Sequence, residues 1–300
     1  MFISVIIPVY NYAHTIERAI SSVVKQLDKQ SELIVIDDGS TDNSLQVISR
    51  IQEELNNPQI IIESKQNSGA AHTRNYGAQI ARGNYLIFLD ADDELNDGAI
   101  SAIRAHIKNN PHTFMIIGSH NSILPNGKSK LHRASSIPKS AFQRVKGYLI
   151  DKSISISNGA SAIRSDVFKK IKYPEKFRNS EDIPVFAKIL ANYECTTLNY
   201  TLANVYKHKD SLRHNLNYAE TVGMALVDEI FSDSMPEECQ PLKKSFQIQR
   251  LLSLSRVAYE SGVHSKSVAY FYEAFKLNWK VLFKWSYSKK LIKSLVKLLK

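Results

Sequence analysis

The 300-residue chain is short of the residues on which stapled, zinc-bound or membrane-spanning proteins depend. Only two cysteines occur, Cys195 and Cys239, far apart and without the close Cys/His spacing of a zinc site. They are read as small core side chains, which favours a reducing compartment. No stretch approaches the roughly 18 uninterrupted apolar residues that mark a transmembrane helix, so none is expected. The first residues enter a strand-like run at 2–9 with no signal-peptide pattern, and a cytoplasmic location is the expectation. No internal repeat or low-complexity linker is found. Acids are scarce at one end. Residues 261–300 carry nine lysines against one acid, Glu273, and hold most of the net charge of +10.

What remains is ordinary for a soluble protein, with 43% hydrophobic and 23% charged residues. The length suffices for one large α/β domain with an appendage. Short apolar runs at 4–9, 33–37, 60–63, 85–89 and 114–118 read as strands. Helical patterns at about 15–27, 42–56, 70–81 and 97–109 lie between them. Asn56-Asn57-Pro58 closes the second helix, because proline cannot continue it and restricts its predecessor. This β-α rhythm predicts a mostly parallel central sheet flanked by helices. Asn126-Gly127 marks a hairpin turn. A mixed region runs to about residue 206, and from about 217 the chain reads as helices only. The organisation expected is a domain over 1–212, divided at 118, followed by a helical region over 213–300.

In open α/β sheets ligands bind beyond the carboxyl ends of the strands. Asn11, Asp37, Asp38 and Asp90-Ala91-Asp92-Asp93 all fall there. The run Tyr85-Leu86-Ile87-Phe88-Leu89 suits a strand buried on both faces, and it ends in three carboxylates within four residues. Such acids raise one another's pKa unless a cation neutralises them. Hard ions such as Mg²⁺ or Mn²⁺ suit an all-oxygen site completed by substrate phosphates. Tyr10, at a strand end, offers a flat face on which a base can stack.

Four segments occur in order: Ser4-Val5-Ile6-Ile7-Pro8-Val9-Tyr10-Asn11, Ile36-Asp37-Asp38-Gly39-Ser40-Thr41-Asp42, Gly69-Ala70-Ala71-His72-Thr73-Arg74-Asn75-Tyr76-Gly77 and Leu89-Asp90-Ala91-Asp92-Asp93. Together they resemble the nucleotide-binding half of glycosyltransferase family 2, inverting enzymes with the GT-A fold. The resemblance covers about residues 3–210 and is most specific in the first 95. It implies a UDP-sugar donor, with Pro8, Val9, Tyr10 and Asn11 around the uracil and Asp38 accepting its N3–H. Asp90 and Ala91 then lie near the ribose, Asp92 ligates Mn²⁺ or Mg²⁺, and Asp37 and Asp93 support the loops. Arg74 orders the pocket, either by touching the ligand or by holding an aspartate. The family segment usually has alanine before this arginine, where Thr73 stands here. Glu181-Asp182, at a helix start, matches the family's Glu-Asp pair, whose aspartate is the catalytic base. His208 is a candidate third metal ligand, with His214 a weaker one.

Residues 279–300 carry seven lysines and no acid. Leu291, Ile292, Leu295, Val296, Leu298 and Leu299 form an apolar stripe, with Trp279, Phe283 and Trp285 nearby. That composition suits a helix lying in a membrane interface, at the inner face of the cell membrane, and a lipid-linked or glycan acceptor. Nucleic acid is not expected as a partner, since arginine is absent here. Two rivals stand beside the transferase reading. A nucleotidyltransferase calls for a glycine-rich basic loop after the first strand, where Tyr10-Asn11-Tyr12-Ala13 lies. A non-catalytic membrane-associated scaffold calls for lost acids, yet Asp38, Asp90, Asp92 and Asp182 are all present.

Overall fold

The structure is a computed structural model that describes residues 1–208 and 216–299. His214 lies outside the described residues. The chain divides into two compact units: 1–138, 153–176 and 193–208 form the first, and 139–152, 177–192 and 209–300 the second.

The first unit carries the sheet. Its strands are β1 (Ile3–Val9), β2 (Ser31–Asp37), β3 (Ile60–Ser64), β4 (Tyr85–Phe88), β5 (Glu94–Leu95), β6 (Met115–Ile123), β7 (Ser129–His132), β8 (Ser161–Arg164) and β9 (Cys195–Tyr206). In space they run β3-β2-β1-β4-β8-β6-β9-β5, with β7 hairpinned onto β6. The first four are parallel and joined by α1 (Ile16–Val24), α2 (Ser44–Leu55) and α3 (Ala70–Ile80), while α4 (Ala99–Asn109) follows β5. β8 enters antiparallel between β4 and β6, and β9 runs parallel to β6. The Asn126-Gly127 turn closes the β6–β7 hairpin, with Gly127 N–H donating to Leu124 O at 2.9 Å.

β1, β2 and β4 are buried at every position, which is why their sequences are mostly apolar; the buried Ser4 hydroxyl of β1 donates to the buried Glu32 carboxylate of β2 at 2.6 Å. Val9 pairs with Asp37, and Ile6 with Phe88, so Tyr10, Asp38 and Asp90 emerge at one edge. Pro8 is tolerated inside this central strand because it lies beyond the last β1 residue paired to β4. α3 lies close on the sheet at Gly77, where a Cβ would meet Ile6 Cγ2 at 2.5 Å and Ile36 Cδ1 at 2.9 Å.

The second unit is helical: α5 (Ala141–Lys146), α7 (Asp182–Asn192), α8 (Leu216–Val222), α9 (Ala225–Ile230), α10 (Leu242–Glu260), α11 (His264–Leu277) and α12 (Trp285–Leu298). The one-turn α6 (Ser165–Phe168) belongs to the first unit. Val145, Leu149, Ala187, Leu226, Ile230 and Phe246 share one core, and Leu252, Phe271 and Val281 another. Both cysteines are buried. Among the described residues no helix is long and apolar enough to cross a membrane.

Gly77 lies one turn after Arg74, so α3's seat on the sheet sets that arginine. Gly77→Ala is expected to lower stability by about 1–3 kcal/mol through overpacking, read as an earlier urea midpoint. An unchanged midpoint would show that Ile6 and Ile36 repack freely.

Candidate active site

Two loops at the sheet's carboxyl edge are built by their own polar groups. Asn11, at the end of β1, adopts φ 60°, a left-handed conformation that asparagine tolerates better than most residues. Its Oδ1 accepts from the Thr41 N–H at 2.8 Å and the Asp42 N–H at 3.3 Å, tying the β1 exit to the β2 exit. Asp37 is buried and accepts from Ser40 N–H and Ser64 Oγ, both at 3.2 Å. Gly39 turns the chain with φ +70°, and a Cβ there would stand 2.9 Å from Asn67 N.

Asp38 is 2% exposed. Its carboxylate accepts from Lys65 Nζ, from Ser68 N–H at 2.9 Å and from Gly69 N–H at 2.8 Å. Burial pushes this carboxyl up, but those bonds outweigh it and hold it below the usual carboxylate range. Asp38 thus anchors the 65–69 loop that opens α3, and Oδ2, which accepts from the Gly69 N–H, has a second lone pair for a further donor. Lys65 is a residue that sequence reasoning passed over. It follows β3 directly, so the same strand-end criterion that selected Asp38 would have found it.

Arg74 is buried and donates from Nη2 to Asp90 Oδ1 at 2.7 Å. This contact with an aspartate is one of the two arrangements left open for the arginine. Its guanidinium also lies 5.3 Å from the Tyr173 ring centroid, and Asn75 fixes Tyr173 through both backbone groups.

The acid cluster is graded. Asp90 is partly open, Ala91 is buried at 2% exposure, and Asp93 is buried with Oδ1 accepting from Tyr206 N–H at 2.9 Å. Burial, then the charges of Asp90 and Asp92, push the Asp93 carboxyl well above its ordinary value. Burial and Asp90 likewise raise Asp92. His208 Nε2 stands 3.3 Å from Asp92 Oδ2, so the structure brings this pair together across 116 positions of sequence. Tyr12, also missed, keeps its phenol protonated through burial and the charges of Asp92, Asp90 and Asp93. Tyr10 is 45% exposed at the same edge. Pro8 and Val9 are buried within β1. Arg18 is the third omission: from α1 it donates from Nη2 to the Asp92 carbonyl at 2.5 Å.

Glu181 and Asp182 belong to the second unit. Ser180, at φ 63°, turns the chain into α7, and Asp182 is its first residue, partly buried. An acid there is favoured by the helix dipole whatever else it does.

The chain is 32% identical over 217 residues to the poly(ribitol-phosphate) beta-N-acetylglucosaminyltransferase TarP of Staphylococcus aureus, covering 69% of this chain and 61% of that protein. It spans 21% of the length of longer curated relatives at 27% identity. Its fold matches S. aureus TarS residues 1–349 in complex with UDP-GlcNAc at a TM-score of 0.61 with 18% identity, covering 92% of this chain and 91% of that one. The mannosyltransferase PcManGT from Pyrobaculum calidifontis, in complex with GDP-Man and Mn²⁺, matches at 0.60 with 17% identity, covering 99% and 86%. These likenesses give the architecture as GT-A. The model of the glycosyl transferase family 2 aligns with residues 4–172, which hold all four motifs, and the protein belongs to that family.

Proposed function

We propose that the protein is an inverting glycosyltransferase that moves one sugar from a UDP-sugar to a hydroxyl of a glycan or lipid-linked acceptor, in cell-surface polysaccharide or lipopolysaccharide synthesis. The observation that carries this reading is the graded acid cluster, with Asp92 and His208 converging beside a carboxyl crowded by Asp90. Family membership speaks against a nucleotidyltransferase. Residues 1–118 serve as the donor half, 119–212 as the acceptor side, and 213–300 as the helical appendage.

The donor set fits a hard divalent ion, Mn²⁺ or Mg²⁺. Asp92 offers oxygen, His208 offers nitrogen, and the raised carboxyls are those that a nearby cation would restore to the charged form. Among the described residues no three His, Cys, Asp or Glu side chains form a complete cage. An ion held by Asp92 and His208 would take its remaining oxygens from substrate phosphates and water. When bound, it would stabilise the charge of the leaving nucleoside diphosphate.

The chain's own groups do the rest. Tyr10 stacks on the base beside Pro8, Val9 and Asn11, and the remaining lone pair of Asp38 receives the N3–H. Asp90, held by Arg74, meets the ribose beside Ala91. Asp37 and Asp93 keep the loops in place, as does Glu181 for Asp182. Asp182 takes the proton from the attacking hydroxyl, so that attack opposite the diphosphate inverts the anomeric carbon.

A second surface supports a membrane contact at the cytoplasmic face. In the second unit Trp279, Phe283 and Trp285 are exposed, Phe283 by 75%. On α12, Leu291 packs into the core, whereas Ile292, Leu295, Val296, Leu298 and Leu299 stay exposed. Lys280, Lys284, Lys289, Lys290, Lys293 and Lys297 surround them with no acid between. An apolar surface rimmed by lysines matches the acyl boundary and headgroups of an anionic bilayer.

Paired variants test the chemistry. Asp92→Asn should abolish Mn²⁺-dependent UDP binding and turnover together. Asp182→Asn should leave UDP-sugar binding intact by calorimetry while kcat falls about 10²–10⁴-fold. Full activity in Asp92→Asn, or loss of donor binding in Asp182→Asn, contradicts these assignments. For the membrane contact, the whole protein should sediment with phosphatidylserine-containing vesicles and not with pure phosphatidylcholine ones. Replacing Phe283 and Trp285 by alanine should weaken that binding by at least about tenfold. Equal partition onto neutral vesicles would remove the electrostatic part of the account.

A further inference from the structure

The Asp92–His208 pair is held by a contact network with no counterpart among the sequence motifs. His208 is two residues beyond Tyr206, the last residue of β9, and Asp92 is two residues before Glu94, the first of β5. β5 is only two residues long, pairing Glu94 with Asn204 and Leu95 with Ala203. So short a pairing is a weak fixture by itself.

Arg18, in the first turn of α1, closes it. Its Nη2 donates to the Asp92 carbonyl at 2.5 Å, and its Nε lies 3.5 Å from Glu94 Oε1. The guanidinium carbon is 3.7 Å from the Tyr206 ring centroid, in stacking range. Tyr206 returns the contact twice, its hydroxyl donating to Glu94 Oε2 at 2.8 Å and its amide to Asp93 Oδ1 at 2.9 Å. One planar cation thereby touches a backbone carbonyl of the acid loop, a carboxylate two residues on, and the aromatic ring that ends β9.

We propose that Arg18 and Tyr206 form a clamp that fixes the spacing of Asp92 and His208 and so preorganises the metal and diphosphate site. Both are positioning residues. The inference rests on the metal reading above and adds residues that no motif assigns. An ammonium cannot replace the guanidinium, since it cannot donate to Asp92 while lying flat on Tyr206.

Two readouts on the full-length protein test it. By Mn²⁺ electron paramagnetic resonance with saturating UDP, Arg18→Ala and Arg18→Lys should both weaken Mn²⁺ binding by about tenfold or more, a loss the size of one or two charge-assisted hydrogen bonds. Tyr206→Phe, which keeps the ring and loses only the hydroxyl, should weaken it less. By amide hydrogen exchange without metal, Arg18→Ala should speed exchange at Asp93 and Tyr206 about tenfold and leave β1 and β2 unchanged. Wild-type Mn²⁺ affinity in Arg18→Lys, or unchanged exchange at Tyr206 in Arg18→Ala, would overturn the clamp. Absence of any Mn²⁺-dependent UDP binding by the wild-type protein would instead overturn the metal reading.

Discussion

Three carboxylates crowded into four residues, at the end of a strand with no exposed face, set the terms for the whole candidate site. Water cannot screen Asp92 and Asp93 fully, so each raises the other's cost of ionisation. The groups gathered around them answer that cost in part. Arg74 pairs with Asp90, the Tyr206 amide donates to Asp93, and Arg18 bonds the Asp92 carbonyl rather than its carboxylate. The His208 imidazole stands 3.3 Å from the Asp92 carboxylate, and burial with the Asp90 charge still leaves that carboxyl raised. A polar network left short of positive charge in this way is suited to receiving a cation together with its phosphates.

The loops after β1 and β2 have many of their polar groups engaged within the protein. Asn11, Asp37 and Asp38 bind neighbouring amides and hydroxyls, and Lys65 adds a charge to Asp38. The motif residues therefore separate by role. Some build the edge of the sheet, and others, Tyr10 and Asp90 among them, remain partly open above it. This separation is one that preorganised binding sites need, since ordering loops on ligand entry would consume affinity.

The parallel half of the fold was legible because strands buried on both faces are mostly apolar. β1, β2 and β4 accordingly match the runs in sequence within a few residues. β6 extends past the expected end at 118 to Ile123, through Ser119-His120-Asn121-Ser122, a polar stretch held by pairing rather than by hydrophobic pattern. β5, two residues long, leaves no periodicity to read. Tyr10, Asn11, Asp38 and the acid cluster stood out by their place at strand ends. Arg18, Glu94 and Tyr206 meet only after folding, from positions separated by up to 188 residues, and each alone resembles a solvated side chain. The apolar stripe of α12 was visible in sequence, but which of its members turn inward was not: Leu291 does, and its neighbour Ile292 does not.

The central claim is that Asp92 anchors a divalent ion shared with a nucleoside diphosphate. Crystals grown with UDP and Mn²⁺ and measured at the manganese absorption edge test it most directly. The account predicts one strong anomalous peak within about 2.0–2.4 Å of an Asp92 carboxylate oxygen and of diphosphate oxygens. A bound UDP with no peak there, or a peak remote from Asp92, would contradict it.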